Sequence, residues 1–77
     1  MKFTFEPEEN SLIITAKSED TEYCGSLEAN SMITFEKIKK FLLASNYDIL
    51  SKSNQLMEIS IGGLIDIELK AKEKLTL

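Results

Sequence analysis

The sequence predicts a small single-domain α+β fold over residues 1–77: an antiparallel three-stranded β-meander, one amphipathic α-helix, and a second antiparallel three-stranded β-meander. Three observations predict it. Apolar and polar residues alternate in short segments at the start of the chain, helical spacing follows from Thr34, and alternation then returns. The length of 77 residues suits one domain and no more.

The first meander is predicted from three segments whose apolar side chains share one face: Phe3 and Phe5, then Leu12, Ile14 and Ala16, then Tyr23 and Leu27. Pairing Phe5 with Leu12 matches the first two faces and leaves Pro7–Asn10 as a loop. Pairing Ala16 with Tyr23 matches the second and third faces and places Lys17 opposite Glu22.

The helix is predicted from residues at helical spacing, namely the apolar Phe35, Ile38, Phe41 and Leu42, followed by Ser45. Thr34 is the expected N-cap, and Ile33 with Ile38 would form a hydrophobic staple. Asn46 is expected to close the helix in a left-handed conformation. Leu43 falls off the apolar stripe and is expected to be partly exposed.

The second meander is predicted from three further alternating segments: Tyr47 and Ile49, then Met57, Ile59 and Ile61, then Ile65, Ile67 and Leu69. Lys52, Ser53 and Asn54 are expected to form the turn between the first two of these strands.

The double glycine at positions 62 and 63 decides the register of the last two strands. A two-residue turn would place Ile59 opposite Asp66 and mix apolar with charged faces, which is costly in so small a core. A three-residue loop, Gly62–Leu64, instead pairs Ile59 with Ile67, and the glycines supply the unusual backbone angles. Leu64 then projects from the loop tip and is a candidate contact residue.

This register gathers carboxylates on the outer face of the sheet. Glu58 falls opposite Glu68, and pairing Ile49 with Met57 would place Asp48 opposite Glu58. Like charges directly opposite each other destabilise a sheet by roughly 0.2–1 kcal/mol per pair. The candidate partner-binding residues are therefore Asp48, Glu58, Asp66 and Glu68.

Two interpretations of these carboxylates stay open. An acidic patch can meet a basic partner surface and accelerate the encounter. A charged outer face can also be merely solvated and discourage strand-to-strand aggregation. A calcium or magnesium site is not indicated, because the chain has no ligand loop of the usual spacing. A glycosidase carboxylate pair is not indicated either, because two acids alone are a very weak signal and 77 residues leave little room for a substrate cleft.

Composition argues against most other functions. There is no histidine, no arginine and one cysteine, Cys24, and the net charge is −4. We therefore expect no enzyme activity, cofactor, metal or direct nucleic-acid binding. The chain contains no stretch of the roughly 20 apolar residues that span a membrane, and its start does not resemble a signal peptide, so we expect no membrane association and a cytoplasmic location.

The sequence thus favours a non-enzymatic, inhibitor-like protein-binding module that uses its acidic sheet face to occupy a basic partner surface, such as that of a nucleic-acid enzyme. Immunity proteins, antitoxins and phage-encoded inhibitors of host nucleases or defence proteins share this general character, by analogy alone. The alternative is a structural or assembly subunit, a monomer or small homo-oligomer that associates through sheet edges and residues 72–77. These residues are either a frayed or a partner-binding tail, and Leu75 and Leu77 are the candidate self-association residues.

Overall fold

The computed structural model describes residues 1–19, 21–28 and 34–72. The elements follow in the order β1 (Lys2–Pro7), β2 (Ser11–Lys17), β3 (Glu22–Glu28), α1 (Phe35–Leu43), β4 (Tyr47–Lys52), β5 (Leu56–Ile61) and β6 (Ile65–Ala71). The α+β prediction is confirmed as a six-stranded antiparallel sheet with one short helix in the described part of the chain. The expected meanders are not separate units, because β3 pairs with β6 and gives one continuous sheet of order β1-β2-β3-β6-β5-β4.

One face of the sheet supplies the core. Residues that alternate along the strands point toward α1 and are buried, and with two helix residues they form one cluster: Phe3, Leu12, Ile14, Ala16, Tyr23, Ile38, Leu42, Met57, Ile59, Ile61, Ile67 and Leu69. Among the described residues no polar or charged residue is buried. The period of two therefore places most apolar strand residues on the inner face and most polar ones on the outer face, where Ile13 and Leu56 are exceptions.

Helix α1 begins and ends with capping interactions that its sequence provides. The Thr34 side chain accepts a hydrogen bond from the Lys37 backbone N–H at 3.2 Å, so the predicted N-cap is confirmed. At the other end the left-handed residue is Ser45, with φ of 60°, and not Asn46 as expected. The Asn46 N–H reaches back to the Phe41 carbonyl at 2.8 Å, which is the pattern of a Schellman motif and places the left-handed residue one position earlier.

Further predictions concern the helix residue Leu43 and residues outside the described part of the chain. Leu43 is 69% exposed, as expected for a residue off the apolar stripe. The staple partner Ile33 lies outside the described residues, as do Leu75 and Leu77 of the predicted self-association segment.

The register between β2 and β3 is as predicted, with Ala16 opposite Tyr23 and Lys17 opposite Glu22. The register between β1 and β2 is not. Phe5 lies opposite Ile14 rather than Leu12, a shift of two residues. A two-residue shift keeps every side chain on its face, so the hydrophobic pattern alone does not distinguish the two pairings. The shift also extends β1 to Pro7, which an edge strand tolerates because the missing N–H faces away from the ladder.

Candidate functional site

The loop between β5 and β6 sets the register of the candidate site. Gly62 and Gly63 have φ of 58° and 70°, and the Leu64 N–H donates to the Ile61 carbonyl at 3.0 Å. Both left-handed positions thus fall on glycine, as expected from the sequence. Leu64 is the extra residue of the loop and is 63% exposed.

The predicted pairing of β5 with β6 is confirmed. Ile59 lies opposite Ile67, and as a consequence Glu58 lies opposite Glu68 and Ser60 opposite Asp66. Helix α1 supports this hairpin from the inner side. The Gly62 N–H donates to the Asn46 carbonyl at 2.9 Å, and a Cβ atom on Gly62 would come within 2.9 Å of Cε2 of Phe41. Only a glycine admits the aromatic ring that close.

The predicted position of Asp48 is wrong. Ile49 lies opposite Ile59 rather than Met57, so Asp48 lies opposite Ser60 and not opposite Glu58. A bulge at Leu50 then shifts the register, and Ser51 becomes the neighbour of Glu58. A shift of two residues leaves every side chain on the same face of the sheet. The alternating pattern of β4 therefore predicts the correct face but does not determine the register.

The four predicted carboxylates nevertheless share the outer face of β4, β5 and β6, where Asp48 lies in the row of Asp66 instead of the row of Glu58 and Glu68. One row contains Asp48, Ser60 and Asp66, and the next contains Ser51, Glu58 and Glu68. All four carboxylates are exposed. Together, Asp48, Glu58, Asp66 and Glu68 form the acidic face of the sheet.

The acidic face has no compensating cation in its own rows. The described residues form ion pairs between Lys39 and Glu36 at 3.7 Å and between Lys72 and Glu22 at 3.3 Å, and neither pair involves this face. Lys70 lies one row beyond Glu68, where its strand neighbours are Cys24 and Leu56. Glu58 and Glu68 thus face each other across neighbouring strands with Cβ atoms about 4.5–5.5 Å apart and no lysine between them.

The described residues offer no group of three or more histidine, cysteine or acidic side chains arranged to hold a metal ion. None of the helical segments in residues 1–19, 21–28 and 34–72 has the length and apolar character that crossing a membrane would require. The exposed carboxylates of the acidic face carry negative charge and can accept hydrogen bonds.

Sequence reasoning missed two features that depend on contacts between distant strands. Lys70 lies opposite Cys24. The Cys24 thiol also accepts a hydrogen bond from the Thr15 hydroxyl, with Oγ1 and Sγ 3.8 Å apart. The edge strands β1 and β4 approach each other, and the rings of Phe3 and Tyr47 meet edge to face with centroids 5.1 Å apart. No local sequence signal marks either contact, because both follow from the β3–β6 pairing and from the coiling of the sheet.

Comparison with family models, with curated proteins and with solved structures gives no match.

Proposed function

We propose that the protein is a non-enzymatic binding module that uses its acidic face to occupy a basic surface of a partner protein, in the manner of an inhibitor. The observation that supports the proposal most is the direct opposition of Glu58 and Glu68 on an exposed face. In the isolated chain this arrangement is unfavourable by roughly 0.2–1 kcal/mol. A basic partner surface turns the same arrangement into an attraction.

The acidic face suits electrostatic recognition more than tight burial. Its carboxylates stand on three hydrogen-bonded strands, so their backbone positions are fixed before a partner arrives. Exposed carboxylates contribute chiefly to the rate of encounter and to the choice of partner. A basic nucleic-acid enzyme, such as a nuclease targeted by phage-encoded inhibitors, is the kind of partner that this charge fits.

The test reverses the charge of the central pair. The variant Glu58→Lys with Glu68→Lys keeps two like charges in contact, so its free energy of unfolding should stay close to that of the unmodified chain. A matched control, Glu8→Lys with Glu9→Lys, makes the same change in net charge on two exposed residues outside the acidic face. The three proteins serve as bait in a host lysate, and captured proteins are identified by mass spectrometry.

The proposal expects at least one basic protein to be retained by the unmodified chain and by the control and lost from the Glu58/Glu68 variant. With that protein purified, the association rate constant should fall about tenfold or more in the variant, and it should decrease with added salt. If no captured protein distinguishes the Glu58/Glu68 variant from the control, or if association is independent of salt, the acidic face is not the binding surface.

A second candidate function, assembly through a sheet edge, is supported by β4. This edge strand exposes Ile49 and Leu50, at 44% and 52%. Such an edge is a template for another strand, although the bulge at Leu50 interrupts its regular ladder. Self-association at micromolar concentration in sedimentation experiments, abolished by Leu50→Lys, would favour assembly over the inhibitor-like function.

A further inference from the structure

A groove lies between the two edges of the sheet. Its walls come from the start of β1 and the end of β2 on one side and from β4 on the other. The groove is open to solvent and has a volume of about 800 Å³, so it suits a chain segment laid along it better than an enclosed small ligand. The groove exists because the sheet coils until its edge strands approach, while α1 packs against β1 and β5 and leaves β4 uncovered.

Part of the groove lining is apolar. Tyr47 and Ile49 contribute to it, and both follow the inner-face alternation of β4. Ile49 is 44% exposed although its strand neighbour Ile59 is fully buried. A large aliphatic side chain on the inner face of the sheet is thus left in contact with solvent.

The rim of the groove is basic. Lys2 and Lys17 lie directly opposite each other on β1 and β2, and Lys52 joins them from β4. The Lys52 ammonium donates to the neutral Ser18 hydroxyl at 3.0 Å, across the gap between the two walls. Glu19 also lines the groove, which leaves an excess of positive charge there.

These lysines are not matched by carboxylates in the described part of the chain. Neither of its ion pairs includes Lys2, Lys17 or Lys52. Glu22 lies opposite Lys17, but its carboxylate is held by Lys72 at 3.3 Å. The opposed pair Lys2–Lys17 is unfavourable in the same way as the Glu58–Glu68 pair.

We propose that this lysine groove binds an extended acidic peptide segment of a partner protein, in which acidic and apolar side chains alternate. In an extended peptide, alternate side chains point to opposite sides, so one set can pack on Tyr47 and Ile49 while the other reaches the lysines. The backbone of the peptide can pair with the free edge of β4 or β1, as in other cases of strand addition. Because the groove and the acidic face are different surfaces of opposite charge, this inference is independent of the proposed function.

A peptide fits the groove better than a nucleic acid does. The sequence has no arginine, which is the residue best suited to bidentate contacts with phosphate. The exposed aliphatic side chain of Ile49 offers nothing to a phosphate backbone, whereas it can pack against an apolar side chain of a peptide.

The test is fluorescence anisotropy with a labelled peptide of alternating glutamate and leucine, long enough to span β4. A peptide of alternating lysine and leucine is the probe control, and a short single-stranded DNA tests the nucleic-acid alternative. Lys2→Glu with Lys52→Glu alters the groove, and Lys37→Glu with Lys40→Glu makes the same charge change on exposed residues of α1. Circular dichroism and thermal unfolding verify that each variant is folded. Ile49→Ser removes the apolar contact without changing the charge.

The expected result is saturable binding of the glutamate–leucine peptide, weakened about tenfold or more in the groove variant, a change of about 1.4 kcal/mol in binding free energy. Binding should change less than about twofold in the α1 variant and should weaken in Ile49→Ser, since lost apolar burial lowers affinity. Absence of binding, equal binding of the lysine–leucine peptide, tighter binding of DNA, or equal losses in the two charge variants would overturn the proposal. Concentration-dependent dimerisation that competes with the peptide and is lost in Lys2→Glu with Lys52→Glu would assign the groove to a second copy instead, which also overturns it.

Discussion

The two three-stranded halves of the sheet, β1–β3 and β4–β6, have the same architecture and differ in the pairs that they place on the outer face. In each half the first strand is an edge and the last strand lies at the centre. On this face the first half pairs Thr4 with Thr15 in its β1–β2 hairpin, and the second half pairs Glu58 with Glu68 in its β5–β6 hairpin. Neutral residues thus occupy one opposed outer-face pair of the same sheet, so strand pairing does not require the opposed carboxylates.

The edges of the two halves differ as well. Strand β1 pairs without interruption over Lys2–Pro7, and Pro7 blunts its end. Strand β4 contains a bulge at Leu50 and is exposed over five of its six residues. The second half therefore combines an uncompensated charge pattern with a poorly covered edge, two departures from the arrangement that stability alone favours. Such departures are expected where a surface is used for recognition.

The largest effect on stability is expected where β3 pairs with β6 and joins the two halves of the sheet. A Cβ atom on Gly25 would lie 2.7 Å from Cδ2 of Leu69 and 2.8 Å from the Glu68 carbonyl oxygen. Gly25→Ala should therefore force β3 and β6 apart and lower the free energy of unfolding by about 2–3 kcal/mol. Urea denaturation measures the change, and Ser26→Ala at the exposed neighbouring residue is the control. A loss below about 0.5 kcal/mol, the size of an ordinary surface substitution, would show that the joint is loose and that the halves are not one packed unit.

A smaller effect on stability is expected at the hydrogen bond that joins β3 to the turn between β4 and β5. The buried Tyr23 side chain donates its hydroxyl to the Ser53 carbonyl at 2.6 Å. Tyr23→Phe keeps the ring and removes the bond, so the free energy of unfolding should fall by about 1 kcal/mol. Amide exchange should accelerate near Ser53 and stay unchanged in the β1–β2 hairpin. Uniform acceleration over both hairpins would contradict a local role for this hydrogen bond.

The sequence predicted most of the fold and only part of the site. Alternation fixed the faces of all six strands, and the cost of placing Ile59 opposite Asp66 fixed the β5–β6 register. The registers of β1 and β4 each slipped by two residues, because such a slip leaves both faces unchanged. Asp48 was therefore assigned to the right face and to the wrong row.

The features that sequence reasoning missed depend on distant contacts. The lysine groove joins Lys2 and Lys17 to Lys52 only because the sheet coils, and no spacing in the chain marks that approach. The closing residue of α1 was misplaced by one position, since Ser45 and Asn46 can both follow a helix and the hydrogen bond to Phe41 decides between them.

A double-mutant cycle tests most directly whether the opposition of Glu58 and Glu68 disfavours the isolated fold. Glu58→Thr, Glu68→Thr and the double variant copy the Thr4–Thr15 pair of the first half, and urea denaturation gives their free energies of unfolding at low salt and at about 1 M salt. We predict an unfavourable coupling of roughly 0.2–1 kcal/mol between the two glutamates at low salt, which shrinks at high salt as the charges are screened. A favourable or absent coupling at low salt would show that the opposed glutamates do not disfavour the isolated fold.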